Sequence, residues 1–477
     1  MRSFVDRWAC LVALLALLAL SCSTAGCGDD DDDNDSGNGD DDGSPDDDDA
    51  SPGDDDSGDD DNDDNDTGDA DEIRVEPNAE MIPAGTSFQY TASGIIGGVD
   101  VTDGFTWTIG DEAIATVNAT GLVTGVANGQ TEVIATLTDH HDSAYVLVGP
   151  DAYSFDNLAG VVTAVDRGNQ TGVADLLAGK GSVGAVIQDI KFYEGYLLLT
   201  DSGDAGVGTT GLEKVVVVDL FDKSVRSRTL EMDSPWASAA VKVDFKHWIY
   251  TTGNLDNRLA AVELTDSDED LGEPTYYDLD AACAPSDIVE LGGLLYIACT
   301  GFHLDDFSYD PGKVIVFDPE AGQIQARLDL PQVNPSRFAP ALDGVTLYVV
   351  CTGNYFDQFG QIVEIGSGGL TVVDSFDLGT APGTIGIGGN GLAFVGEMMA
   401  GSVYVFDTAD NTVLHGADDP LPIPDAFWIQ GLGVHPDDGG VYVCDQGNGV
   451  VRVLAGEDPF AEVFHVSLPN PGGVAFW

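Results

Sequence analysis

The feature that most constrains the fold is a repeat of about 48 residues that runs from residue 150 to residue 477. In each repeat a short apolar strand carries one bulky residue, and consecutive bulky residues lie 45 to 52 positions apart. A second apolar strand follows each of them, and turn residues separate the strands. A period of this length, with about four strands in each unit, is typical of a β-propeller or a solenoid. The bulky residues are Tyr153, Leu198, Trp248, Tyr296, Tyr348, Phe394 and Tyr442.

The two ends of the repeat region distinguish a ring from a solenoid. The first unit starts directly at its second strand, with Tyr153, whereas residues 471–477 match the strand that opens the other units. A last strand that completes a truncated first unit closes a ring, while a solenoid needs polar capping repeats. We therefore predict a seven-bladed β-propeller over residues 150–477, sealed by residues 472–477.

The repeats resemble the YVTN-type β-propeller family. The segments Leu347–Asn354 and Gly401–Thr408 carry this resemblance. The Gly-His and Trp-Asp pair of WD-type repeats does not occur in the sequence.

Residues 73–149 show short alternating strands separated by Gly, Asn and Asp, which is the pattern of a small β-sandwich. The string Gly121–Gly129 and the run over residues 100–117 resemble the bacterial immunoglobulin-like (Ig-like) group 2 domain. That resemblance implies a spacer or adhesion module at the cell surface, without catalytic residues. We expect Trp107 to face the core. Three glycines are expected to adopt unusual φ values at turns: Gly121, Gly125 and Gly129.

The N-terminus has the pattern of a secretory signal. Two Arg precede an apolar run from Ala9 to Leu20, which is too short to span a bilayer. Cys22 and Cys27 follow at once, and the arrangement resembles a bacterial lipoprotein signal, in which the cysteine after the cleavage site is lipidated. We predict a signal peptide over residues 1–21 and lipidation of Cys22, with Cys27, or a plain secretory peptide, as the alternatives. The protein is then expected in the bacterial cell envelope, at the outer membrane or cell surface.

An Asp-rich tract follows the predicted signal. Residues 29–72 hold 24 Asp and one Glu but no Lys or Arg. This composition offers almost no apolar area to offset chain entropy, and its charges repel one another, so we predict a disordered tether over residues 22–72. Calcium binding is the alternative, but neither a run of Asp nor the acidic turn at 266–272 has the ligand pattern of a shaped calcium site. We expect no cofactor, with calcium as the one alternative.

The whole chain is strongly acidic, with 17 Lys and Arg against 83 Asp and Glu and a formal net charge of −66. Nucleic-acid binding through a basic face is excluded, because neutralising phosphates needs clustered Lys and Arg.

Four cysteines lie in the predicted ring: Cys283, Cys299, Cys351 and Cys444. A Cys283–Cys299 disulfide within one blade is one alternative in an oxidising compartment. Buried free thiols are favoured, because a regular hairpin register pairs Cys299 with a residue near Ser286.

Motifs and loop positions give the candidate site. The sequence contains no serine elbow, HExxH zinc motif, phosphate-binding glycine loop or paired-cysteine metal motif. In a propeller, the loops that leave the second strands and the loops that enter the opening strands share one rim, and here they carry aromatic and acidic side chains. We assign no catalytic or metal-binding residue. The candidate ligand-binding residues are Trp236, Phe302, His303, Asp305, Tyr355, Phe356, Asp357, Phe427 and Trp428.

These features favour a surface-anchored lipoprotein whose propeller binds a protein, glycan or small-molecule ligand without catalysis. The alternative is a metal-dependent hydrolase, because the blades also resemble propellers of the gluconolactonase and streptogramin-lyase type, which use central metal ligands or a histidine. The sequence leaves the ligand and the oligomeric state open. In the enzyme alternative, the residues that converge on the axis are Asn254, Asp287, Asn354 and Asp425.

Overall fold

The computed structural model describes residues 72–150, 152–203, 211–265, 271–355, 359–368, 370–379, 381–421, 423–436 and 439–476. Over these residues the chain is all-β, with 38 strands and one short 3-10 helix, Gln446–Asn448. This part of the chain contains no helix of the length and apolar character needed to cross a membrane. The predicted signal peptide, Cys22, Cys27, the predicted tether up to residue 71 and the acidic residues 266–270 lie outside the described residues.

The Ig-like region contains ten strands. They are β1 (Glu72–Glu76), β2 (Ala79–Pro83), β3 (Ser87–Gln89), β4 (Thr91–Ile96), β5 (Val99–Val101), β6 (Thr106–Ile109), β7 (Ala115–Val117), β8 (Leu122–Gly125), β9 (Gly129–Leu137) and β10 (His140–Gly149). One sheet has the order β2-β10-β9-β6 and a second the order β3-β8-β7, while β4 and β5 pair as a hairpin.

The core of this region is built from alternating strand positions. Tyr90 is fully buried together with Val and Ala side chains of β9 and β10, and Trp107 packs against this cluster as the sequence predicts. Gly121 and Gly129 have φ values of +83° and +153°. The prediction for Gly125 was wrong, because its φ is not positive. Its lack of a side chain instead allows a close approach, since a Cβ there would lie 2.9 Å from the carbonyl oxygen of Pro83.

Residues 152–476 form seven four-stranded antiparallel sheets, which are the blades. Blade 1 contains β11 (Ala152–Asp156), β12 (Val161–Asp166), β13 (Thr171–Val173) and β38 (Pro471–Phe476). Blade 2 contains β14 (Ile187–Tyr193), β15 (Tyr196–Asp201), β16 (Lys214–Asp219) and β17 (Val225–Thr229). Blade 3 contains β18 (Pro235–Val243), β19 (Lys246–Gly253), β20 (Arg258–Leu264) and β21 (Thr275–Asp278). Blade 4 contains β22 (Pro285–Leu291), β23 (Leu294–Cys299), β24 (Pro311–Asp318) and β25 (Gln323–Val333).

The remaining three blades have the same order. Blade 5 contains β26 (Pro335–Pro340), β27 (Thr346–Cys351), β28 (Gln361–Gly366) and β29 (Thr371–Asp377). Blade 6 contains β30 (Pro382–Ile387), β31 (Leu392–Glu397), β32 (Val403–Asp407) and β33 (Thr412–His415). Blade 7 contains β34 (Ile429–Val434), β35 (Val441–Asp445), β36 (Val450–Leu454) and β37 (Glu462–Ser467).

Strand β38 closes the ring. It pairs antiparallel with β11, with Ala152 opposite Phe476 and Ser154 opposite Val474. We call the strand nearest the axis the inner strand of each blade, and the strand paired with it the second strand. The inner strands of blades 1 to 7 are β38, β14, β18, β22, β26, β30 and β34. Strand β38 also packs against β14 and β34, and all seven inner strands contact one another in sequence around the ring. The predicted all-β fold, an Ig-like domain followed by a seven-bladed propeller, is confirmed. Trp477, which the prediction included in this strand, lies outside the described residues.

Every inner strand begins with the same irregularity. Its first residue pairs with the end of the second strand, and the register then shifts by one residue in a β-bulge. In blades 1, 2 and 7 the last residue of the second strand is a buried Asp that accepts a backbone hydrogen bond from the loop entering the inner strand. The acceptors are Asp156, Asp201 and Asp445. These bonds fix the loops on the rim to the blades beneath them.

A disulfide fixes the same loop in blade 4. Cys283 and Cys299 are bonded, with their Cα atoms 4.5 Å apart, so the preference for free thiols at these two positions was wrong. The bulge pairs Cys299 with Pro285 rather than with Ser286. The left-handed residues Ala282 and Ala284, with φ values of +59° and +44°, turn Cys283 back toward the strand.

The other two ring cysteines are free and buried. Burial raises the pKa of Cys444 to about 12 and raises that of Cys351 further. Because the thiolate is the reactive form, both thiols are expected to be inert in the folded protein.

Candidate functional site

A cleft of about 350 Å³ lies on the rim between blades 3 and 4. Its walls come from the loops leaving β19 and β23 and from the loops entering β18 and β22, which antiparallel pairing brings to one end of the blades. The volume is at the lower end of the roughly 300–1,000 Å³ range of small-molecule sites. The lining residues are Asp233, Asn254, Leu255, Asn257, Ala282, Ala284, Phe302, His303, Leu304 and Asp305.

Two asparagines on the blade 3 side are held in fixed orientations by backbone groups. Asn254 donates from Nδ2 to the carbonyl oxygen of Pro285 at 2.9 Å. Asn257 accepts at Oδ1 from the backbone N–H of Ala284 at 2.7 Å. These partners define which amide atom is oxygen and which is nitrogen. Asn254 Oδ1 and Asn257 Nδ2 make no hydrogen bond within the described part of the chain, so they remain as an acceptor and a donor.

The blade 4 wall is a small loop built on an aromatic cluster. The Phe302 ring lies 5.3 Å from the ring of Tyr309 and 6.1 Å from that of Phe307, centroid to centroid. His303 Nε2 lies 3.2 Å from Asp310 Oδ2. Asp305 is exposed on the same loop, and its carboxylate makes no hydrogen bond or ion pair within the described residues.

The cleft is acidic and braced. Asp233 and Asp305 are among the described residues that line it, and none of these is Lys or Arg. The Cys283–Cys299 disulfide lies directly between the lining residues Ala282 and Ala284 in sequence. It joins the loop entering β22 to the strand that leads into Phe302. The walls of the cleft are therefore fixed before any ligand arrives.

Phe302, His303 and Asp305 are thus the predicted candidates that the structure brings together. Trp236 is placed differently, because it is the second residue of strand β18 rather than a loop residue. It packs against the apolar core between blades 3 and 4.

The other predicted candidates lie elsewhere on the rim. Burial raises the pKa of Tyr355, which lies near Tyr309 of the neighbouring blade. Phe427 and Trp428 lie at blade 7 with ring centroids 6.4 Å apart, and neither lines the cleft. Phe356 and Asp357 lie outside the described residues.

A second group of polar side chains lies on the inner strands. Lys191 Nζ is 3.6 Å from Asp189 Oδ1 and 3.7 Å from Asp287 Oδ1. Both Asp side chains are buried, while Lys191 keeps 37% of its side-chain surface accessible. Lys191 and Asp189 belong to blade 2 and Asp287 to blade 4, so the group spans blade 3, which has the small residue Ala237 at the corresponding position. We call Asp189, Lys191 and Asp287 the axial cluster.

The axial carboxylates also join neighbouring blades. The third residue of the inner strand in blades 2, 4 and 6 accepts a hydrogen bond from the backbone N–H of the fourth residue in the next inner strand. The donor–acceptor pairs are Ser238 to Asp189 at 3.3 Å, Phe338 to Asp287 at 2.8 Å and Leu432 to Thr384 at 3.1 Å. One carboxylate oxygen of each Asp is thus structural, and the other faces Lys191.

Arg337 of blade 5 adds a second positive charge near the cluster. Its Nη1 donates to the carbonyl oxygens of Ser286 and Ser336 at 3.0 and 3.3 Å. Burial raises the pKa of Asp189, and the charges of Lys191 and Arg337 oppose that rise. For Lys191, burial alone lowers the pKa, but the two carboxylates outweigh it and hold the pKa above its ordinary value.

The donor set of the axial cluster does not fit a divalent metal ion. The Lys191 ammonium already supplies the positive charge between the two carboxylates. In the part of the chain that the structure describes, no group of three or more His, Cys, Asp or Glu side chains is placed to hold a metal ion. Of the residues considered for a metal-dependent enzyme, Asp287 lies in the axial cluster and Asn254 lines the cleft.

Sequence reasoning missed Asp189, Lys191 and Arg337. Their only sequence signal is position, since Asp189 and Arg337, like Asp287, are each the third residue of an inner strand, and Lys191 is the fifth. That signal becomes usable only when the strand starts and the bulge are known.

The fold and the site together define an Ig-like domain followed in sequence by a propeller, whose rim carries a cleft held by a disulfide and by amide–backbone hydrogen bonds. Residues 69–148 match the family model of the bacterial Ig-like domain (group 2). Ice-binding protein 1 of Shewanella frigidimarina is 40% identical over 67 residues, which are 13% of this chain and 8% of that protein. The chain therefore spans less than a tenth of the length of this curated relative.

Three solved structures resemble the propeller. The periplasmic gluconolactonase PpgL of Pseudomonas aeruginosa is 14% identical, with a TM-score of 0.52, over 68% of this chain and 99% of its own. A putative 6-phosphogluconolactonase of Bacteroides fragilis is 9% identical, with a TM-score of 0.54, over 69% and 98%. A putative 6-phosphogluconolactonase of Bacteroides uniformis is 10% identical, with a TM-score of 0.53, over 69% and 99%. At these identities the likeness shows the propeller fold alone.

Proposed function

We propose that this chain is a lipid-anchored protein of the bacterial envelope, at the outer membrane or cell surface, whose YVTN-type propeller binds a protein, glycan or small-molecule ligand. The observation that carries the proposal is the cleft between blades 3 and 4. Its loops are fixed by the Cys283–Cys299 disulfide and by amide–backbone hydrogen bonds. A preorganised site loses less conformational freedom when a ligand binds, which favours recognition.

Binding at the cleft is testable by thermal-shift screening of the full chain against a small-molecule library. A compound at about a hundred times its Kd stabilises the folded state by about 2.7 kcal/mol. The test variant is L304S/D305A, because both side chains are exposed and neither makes a hydrogen bond that the loop needs. Its matched control is D329A, an exposed Asp on the outer strand of the same blade. Stabilisation that L304S/D305A loses and D329A keeps supports the cleft, and hits unaffected by L304S/D305A refute it.

Anchoring is tested separately through the two cysteines of the predicted lipoprotein signal. Replacing Cys22 and Cys27 with Ser removes both candidate lipidation sites. We expect the wild-type protein to sediment with membranes and the double variant to be released. Sedimentation of the double variant with membranes would contradict lipid anchoring.

The second candidate function is lactone hydrolysis, and the axial cluster is the observation that favours it. Burial raises the pKa of the Asp189 carboxyl, and a buried carboxyl group with a raised pKa is a common basis for acid–base chemistry. The test is hydrolysis of gluconolactone followed by acid release, comparing wild type with K191M and with chelator-treated wild type. A rate above the buffer rate that K191M loses supports hydrolysis without a metal at the axis. Loss on chelation supports a metal-dependent enzyme, and equal rates with and without protein refute both.

A further inference from the structure

We infer that the cleft between blades 3 and 4 takes a neutral sugar residue, an inference that rests on its proposed role as the binding site. Charge narrows the ligand class first. Asp233 and Asp305 contribute carboxylates, and none of the described lining residues is Lys or Arg. An anionic ligand would enter against these charges and against the net charge of −66 on the whole chain. Sugar acids and phosphorylated sugars are therefore disfavoured.

The two fixed amide groups narrow the ligand class further. Asn254 offers its Oδ1 as an acceptor, and Asn257 offers its Nδ2 as a donor, because the opposite atom of each amide is held by the backbone. A hydroxyl group both donates and accepts, so neighbouring hydroxyls can use both amide atoms together with the Asp305 carboxylate. An ammonium or guanidinium group only donates, and it would leave the Asn257 donor unpaired.

The apolar part of the lining fits the same ligand. Phe302 and Leu255 line the cleft with Leu304, which is 42% exposed. A sugar ring presents C–H groups on its faces and hydroxyls at its edge, so it needs an apolar surface beside mixed donors and acceptors. The cleft volume of about 350 Å³ is at the lower end of the small-molecule range, which suits a single ring or a short saccharide rather than a large ligand.

The experiment is isothermal titration of the full chain with probes of similar size and different charge. The neutral probes are glucose, N-acetylglucosamine and cellobiose. Gluconate and 6-phosphogluconate are the anionic probes, and glucosamine is the cationic one. We expect a neutral probe to bind most tightly, with an affinity that changes little between low and high salt.

Two variants test the contacts. Asn257→Asp keeps the oxygen that caps the backbone N–H of Ala284 and replaces only the donor, so it should weaken the neutral sugar about tenfold or more. The same change adds a negative charge and should strengthen binding of glucosamine. Asp305→Ala should also weaken the sugar about tenfold, and D329A should leave it unchanged.

The outcomes separate this inference from the proposed function. If gluconate, 6-phosphogluconate or glucosamine binds more tightly than every neutral probe, or if no neutral probe binds, the inference of a neutral sugar as the ligand is wrong. The binding function of the cleft is judged independently, by whether library compounds lose their effect in L304S/D305A.

Discussion

Replacing Lys191 with Met tests whether the axial cluster holds the ring together. Met keeps an unbranched apolar stem of similar length but removes the ammonium that lies 3.6 and 3.7 Å from the two carboxylates. Asp189 and Asp287 then face each other without a cation between them. Both carboxylates are buried, so water can compensate for the lost charge only in part, from the side where Lys191 is accessible.

The magnitude follows from the burial of the cluster. Removing one partner of a fully buried ion pair costs roughly 3–5 kcal/mol. Lys191 keeps 37% of its side-chain surface accessible, which moderates the loss, so we expect about 2–3 kcal/mol. For a domain of this size about 1 kcal/mol corresponds to about 2 °C, so the melting temperature should fall by about 4–6 °C.

The pH dependence gives a second readout. Burial raises the folded-state pKa of Asp189, and without Lys191 the carboxylate should protonate still more readily. A group whose folded-state pKa is raised is most favourable to folding when it is protonated. The stability difference between wild type and K191M should therefore be largest at neutral pH and should shrink on acidification, as the two buried carboxylates are neutralised by protonation.

Two comparisons make the test specific. In K191M/D287N the Asn can still accept from the Phe338 N–H, but one buried charge is gone, so part of the lost stability should return. K246M removes an exposed ion pair with Glu263, with N–O distance 3.0 Å, and should cost at most about 1 kcal/mol. If K191M has the melting temperature of wild type, or if K246M lowers the melting temperature as much as K191M does, the axial cluster does not stabilise the ring.

Three further predictions concern closure, the disulfide and the tether. F476A should destabilise the propeller by about 2–3 kcal/mol, because the phenyl group of this partly buried Phe packs against neighbouring aromatics. F245A, at a 94% exposed position, should cost less than about 0.5 kcal/mol. Equal melting temperatures for the two variants would contradict the role of β38 as the closing strand. Replacing Cys283 and Cys299 with Ala should cost about 3 kcal/mol for a sequence separation of 16 residues, and alkylation of the unreduced, denatured chain should leave both unmodified; modification of either would disprove the bond. Deleting residues 29–71, which leaves strand β1 intact, should leave the melting of the folded part unchanged in calorimetry, since a highly charged segment with almost no apolar area has little to bury. A lowered melting temperature would show that the tract supports the fold.

The sequence by itself determined the architecture, because local patterns of apolar, polar and turn residues specify strands and turns. The spacing of the bulky residues gave seven units, and Tyr153, Tyr348 and Tyr442 are among the largest fully buried side chains. The missing first strand of blade 1 and its counterpart at residues 471–476 predicted how the ring closes. Each of these inferences needs only alternation, turn residues and repetition, which do not depend on distant contacts.

The tertiary structure alone decided where the chemistry lies. Asp189 and Asp287 are 98 positions apart in the chain, and they meet around Lys191 because the inner strands of blades 2 and 4 flank a small residue in blade 3. The disulfide between Cys283 and Cys299 depended on a register shift of one residue that alternation cannot reveal. The cleft likewise required the loops of two blades to be placed side by side and fixed by backbone hydrogen bonds. Periodicity in a sequence specifies each strand, whereas a site forms from side chains whose convergence is set by bulges and by packing between blades.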